Sequence, residues 1–132
     1  MAPVRCQLAK VVMSEQYDRQ IIVLEEQDGS RKFPIIIGPF EVSAIHRTVN
    51  DEPPPRPMTH ELIGSIMETM DISIEKVIVN DLHDMTFYAR LFLKQGEETY
   101  EIDSRPSDAI ALALQKEAPI FVEEKVIDTA SD

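Results

Sequence analysis

The chain has 132 residues, 24 acids against 13 Lys and Arg, and a formal net charge of −11; 43% of it is hydrophobic and 28% charged. These values describe one globular domain with a single core rather than a disordered chain. They exclude a bilayer-spanning helix, since no apolar run approaches ~20 residues, and the lone Cys6 excludes an internal disulfide.

In chain order, VRCQLAKVVM at 4–13 and QIIVLE at 20–25 are β-rich runs separated by the polar SEQYDR. Asp28-Gly29 signals a second hairpin turn. RKFPIIIG follows as a strand, with Pro34 suggesting an edge or a bulge. A three-stranded antiparallel meander is therefore expected over 4–37. Gly38-Pro39 launches a helix over Phe40–Val49, with Val42, Ile45 and Val49 on one face. DEPPPRP at 51–57 reads as a stiff connection. Thr59 is the expected N-cap of a second helix, in which Leu62, Ile63, Ile66, Met67 and Met70 form an apolar stripe.

Three strands are expected next, at 72–82, 85–94 and 98–103. The third helix opens at Ser104-Arg105-Pro106, where proline suits the first turn. Its core AIALAL is apolar on every side, so it belongs inside a layer. Pro119–Val122 is a last short strand, and residues 125–132 are expected to fray. The expected fold is α+β: a largely antiparallel sheet with three helices, in the order βββ-α-α-βββ-α-β, forming a single domain over 1–132.

Walker, dinucleotide-glycine, HExxH, CxxC and GxSxG motifs are all missing. What the sequence offers instead is polar residues near element ends. Asp103, Arg105, Ser107 and Asp108 surround a helix start. Two carboxylates there suit Mg²⁺ or Mn²⁺, with Arg105 steadying a phosphate. Helix capping by Ser104, Ser107 and Asp108, with Arg105 paired to Asp103, explains the same residues without a substrate. Arg56, Thr59, His60 and Glu61 open the second helix, where a His and a Glu suit acid–base work. An N-cap and a solvated face are the plain alternative. Glu41 is accounted for by the helix dipole. His46 is read as a surface residue, Asn80–Asp84 as a polar turn, and Cys6 as a buried structural thiol.

RPSDAIALAL followed by APIFV resembles the hallmark of the bifunctional nuclease family. FPIIIGPFEVSAI at 33–45, RPMTHELI at 56–63 and VNDLHDMTFYARL at 79–91 agree with it, so the resemblance runs from Phe33 to Val122. Members usually carry Gly where this chain has Met85, which implies a different turn here. The resemblance implies a dimeric nuclease cleaving phosphodiesters in DNA and RNA, assisted by a divalent metal, Mg²⁺ or Mn²⁺. On this chain it points to His60, Glu61 and Asp108 as catalytic residues. Arg56 and Arg105 would contact phosphate, and Asp103 and Asp108 would hold the metal.

Charge speaks against tight nucleic-acid binding. Residues 1–50 sum to zero, 51–96 to −4 and 97–132 to −7, and no basic run stands out. Weak binding to the substrate is expected. The alternative is a non-enzymatic homodimeric regulatory or interaction module. The N-terminal stretch lacks a signal-peptide pattern, and with one cysteine a cytoplasmic location without membrane association is expected.

Overall fold

The computed structural model describes residues 2–13 and 20–131. The expected polar connection at 14–19 lies outside them. The strands are β1 (Val4–Val12), β2 (Gln20–Glu26), β3 (Lys32–Ile37), β4 (Ile72–His83), β5 (Thr86–Gln95), β6 (Glu98–Ser104) and β7 (Ile120–Val122). The helices are α1 (Pro39–Val49), α2 (Thr59–Thr69), α3 (Pro106–Gln115) and α4 (Glu124–Ala130).

All seven strands join one sheet in the order β3-β2-β1-β7-β4-β5-β6. Strands β1 to β3 form the expected meander, and strict alternation of burial along β2 and β3 shows one face turned to the core. Five of the six pairings are antiparallel. The exception is β7, which runs parallel to β4 and antiparallel to β1, and so joins the two halves of the sheet. The sheet curls. Phe33 on β3 and Phe87 on β5 stack with ring centroids 6.3 Å apart, although four strands lie between β3 and β5 in the sheet order.

Helix α3 is the centre of the packing. Ala109 to Ala113 are consecutively buried, between α1 and α2 on one side and β4 and β5 on the other. Ala109, Ala111 and Ala113 let these neighbours come close, which is why the helix is apolar all round. Cys6 is 3% exposed, and burial, seconded by Glu26, pushes its thiol up to about 11. It is a structural thiol.

Three expectations need correction. The C-terminal segment expected to fray forms α4, so the described residues hold four helices. Its Val126 and Ile127 are fully covered against β3 and β4, and Arg31 reaches Glu124 at 2.6 Å and Asp128 at 2.8 Å. Two apolar residues in a polar tail are too few to show a period; docking makes the helix. Thr59 is not the N-cap of α2, because Met58 is. Glu61 Oε1 instead accepts from the Met58 N–H at 3.1 Å. Val49, expected on the apolar face of α1, is exposed, as are Leu62, Ile66 and Met70 of the α2 stripe. In the β4–β5 turn Asp84 and Met85 both take positive φ, 51° and 64°, a conformation that favours glycine.

Candidate active site

The first turns of three helices meet at one place. Proline starts α1 and α3, and each carries an acid in its first turn, Glu41 and Asp108. His60 is in the first turn of α2. His60 Nε2 lies 2.9 Å from Asp108 Oδ1, and Arg105 Nε donates to Asp108 Oδ2 at 2.8 Å. The other arm of Arg105 donates to Glu41 Oε1. The result is a polar chain, His60–Asp108–Arg105–Glu41, that ties α2 to α3 and α3 to α1.

Both ends of this chain are buried and its interior member Arg105 is open. His60 and Glu41 are 8% and 7% exposed, whereas the Arg105 side chain is 66% exposed. Burial works against the charge on Asp108, but hydrogen bonds from Arg105 and His60 outweigh it, so its carboxyl sits below the ordinary 3.8. Bonds to Asp108 and Glu41 in turn hold Arg105 more firmly protonated than usual. No side-chain cap bond forms at α3; Asp108 instead holds the N-cap residue Arg105 through its side chain and the distant His60. Below the chain, Gln115 Nε2 donates to the His60 carbonyl at 3.1 Å.

Of the six residues singled out from the sequence, the structure brings together His60, Arg105 and Asp108. Glu61 points to other partners, the Met58 N–H and the Arg47 guanidinium, which reaches both of its oxygens at 3.1 Å. Arg56 is exposed in the proline-rich connection. Asp103 is exposed on β6 and lines a separate cleft of about 230 Å³ with Asn80, Asp81, His83, Tyr88 and Arg90. Asp103 and Asp108 therefore belong to different surroundings. Among the described residues no three His, Cys, Asp or Glu side chains are grouped to hold a metal. Each oxygen of Asp108 already has one hydrogen-bond partner, which leaves it one further lone pair for a divalent ion.

Glu41 is the residue that sequence reasoning passed over. One signal was there: position 41 is four before Ile45, hence on the buried side of α1. Gly38 makes room for it, since a Cβ there would collide with Glu41 Oε2. Beside the cluster a largely apolar cleft of about 490 Å³ opens between β3 and the β4–β5 turn, and Arg105, Pro106 and Ser107 form one end of it.

The model of the bifunctional nuclease domain matches residues 22–132, which covers every element that builds this cluster. The chain belongs to the bifunctional nuclease domain family. An uncharacterized protein of Mycobacterium tuberculosis is 36% identical over 118 residues, covering 89% of this chain and 70% of the relative. Bifunctional nuclease 1 of Oryza sativa subsp. japonica is 29% identical over 109 residues, and bifunctional nuclease 2 is 30% identical over 112, covering 80% and 82% of this chain. This chain spans about a third of each rice protein, 33% and 34%. No helix among the described residues is long and apolar enough to cross a membrane.

Proposed function

We propose that this bifunctional nuclease domain hydrolyses phosphodiester bonds in DNA and RNA, with His60, Asp108 and Arg105 as its working residues. The observation that carries this is the hydrogen-bonded His60–Asp108–Arg105 chain at the meeting of three helix starts. Helix N-termini favour an anion, because their free N–H groups carry partial positive charge. An ionised Asp108 facing Nε2 keeps the proton on that nitrogen and leaves Nδ1 as the basic one. His60 then accepts a proton from the attacking water. Arg105, the exposed member of the chain, offsets charge building on the phosphorus oxygens.

Arg56 serves a phosphate further along the strand, and Glu61, held by Arg47, braces the start of α2. No step is routed through a metal; Mg²⁺ or Mn²⁺, if held at the remaining lone pairs of Asp108, would supply Lewis-acid charge at the phosphate. Binding is weak, because the charge of −11 leaves few cations for phosphates.

A second copy of the chain completes the proposal. Met58, Leu62, Ile66 and Met70 follow at steps of four along α2, each about half exposed. Edge strand β6 adds Tyr100 and Ile102, which pair in register with Leu93 and Leu91 and so share their sheet face, yet are 46% and 44% exposed. An apolar helix flank and an uncovered strand face on one small domain suit a homodimer.

The test is cleavage of single- and double-stranded DNA and RNA by purified protein, with and without EDTA, beside the Asp108→Asn variant. Cleavage by the wild type that is lost in a folded variant supports the assignment. Equal cleavage by both overturns it.

A further inference from the structure

We infer that the 490 Å³ cleft is a nucleobase subsite for the residue flanking the scissile phosphate, one that takes any base. The inference rests on the nuclease reading above. Three observations support it. First, Arg105 belongs to both places: it lines the cleft and it bonds Asp108, which bonds His60. A phosphate held by Arg105 therefore has its own base or the next one at the mouth of the cleft. Second, the volume falls within the range of small-molecule sites, ~300–1,000 Å³. Third, the walls are the kind a base prefers. Ile35, Ile37 and Leu82 give flat aliphatic cover, and Phe87 gives an aromatic ring.

The side chains offer few ways to read a base. Among those lining the cleft, only Thr86, Ser107 and Arg105 carry hydrogen-bonding groups. Discrimination between bases needs donor and acceptor patterns matched to their edges, and three groups, one of them engaged by Asp108 and Glu41, supply little pattern. The subsite adds affinity without adding sequence preference. It also compensates in part for the acidic surface, because stacking and apolar burial do not depend on phosphate neutralisation.

The experiment is an amide NMR titration of the full chain with 5′-AMP, 5′-UMP, ribose 5-phosphate and decanoate. Both nucleotides should shift Ile36, Thr86 and Phe87 with similar dissociation constants, at least tenfold below that of ribose 5-phosphate. Ribose 5-phosphate binding as tightly as the nucleotides overturns the inference, as does decanoate binding more tightly than either, which would make this an acyl-chain site. Thr86→Trp, on the exposed start of β5, should fill the cleft and raise KM for a single-stranded oligonucleotide about tenfold, with kcat changed less than twofold. An unchanged KM overturns the subsite. Binding is read without turnover, so nucleotide shifts without any cleavage by the wild type overturn the nuclease reading alone and leave the subsite standing.

Discussion

Gly64 of α2 lies so close to Gln115 of α3 that a methyl at position 64 would collide with Gln115 Oε1. Gln115 is also the residue whose Nε2 holds the His60 carbonyl. The close approach of α2 to α3 thus brings His60, one turn earlier, within reach of Asp108.

Gly64→Ala is expected to change stability by less than ~1 kcal/mol. Two terms nearly cancel: alanine gains about 1 kcal/mol of helix propensity, and displacing Gln115 loses a hydrogen bond worth about as much. The contact shows in a double-mutant cycle. With Gln115→Ala already present, Gly64→Ala should stabilise by about 1 kcal/mol in urea unfolding. The same effect in both backgrounds would mean that the two side chains do not meet.

Asp108→Asn keeps an oxygen for His60 but removes the charge that faces Arg105. Cleavage should fall about 10²- to 10⁴-fold, the usual scale of acid–base assistance, while the melting curve moves little because the site is partly open to water. Cleavage by the variant at the wild-type rate would show that Asp108 is structural.

Glu26 is expected to set the acid limit of stability. Hydrogen bonds from Arg31 at 2.7 Å and Ser30 at 2.7 Å hold its carboxyl down at about 2, from an ordinary 4.5. The folded value lies below the unfolded one. The stabilisation is therefore fully present above pH 4.5 and is lost as pH falls from there toward 2. Asp108 is lowered in the same direction. The urea midpoint should drop across that window, and Glu26→Gln should flatten the drop while costing stability at neutral pH. A Glu26→Gln protein with the wild-type pH profile would place the acid sensitivity elsewhere.

Met85→Gly should stabilise the protein. Met85 is 90% exposed and sits at φ 64°, in the left-handed region that costs a side-chain-bearing residue about 1 kcal/mol. With glycine following Asp84, the connection would be a favoured two-residue hairpin turn. The melting temperature should rise by about 4 °C, and a fall would mean that the Met85 side chain is held by something it touches.

Ile66→Glu and Leu62→Glu place a charge on exposed residues, so stability of the single chain should change by less than ~0.5 kcal/mol. Light scattering should show the wild type at twice the chain mass and each variant at the chain mass. Wild type measured as a monomer at micromolar concentration removes the dimer from the proposal.

Local chemistry made much of this protein legible from sequence. The β-rich runs QIIVLE and RKFPIIIG mark β2 and β3, Pro106 opens α3, and AIALAL can only be an interior helix, because each signal needs nothing beyond its own neighbours. The same stretches carry the family resemblance, so the class of fold followed. Tertiary structure decided what depends on distant partners. It seats α4 by two apolar side chains and an arginine from the β2–β3 turn, inserts β7 between β1 and β4, and leaves Leu62 and Ile66 uncovered. It also assembles the site. His60 and Asp108 are 48 residues apart and Arg105 and Glu41 are 64 apart, and no periodicity relates such positions. Only the packing of three helices, with thin α3 at its centre, brings those four side chains into line.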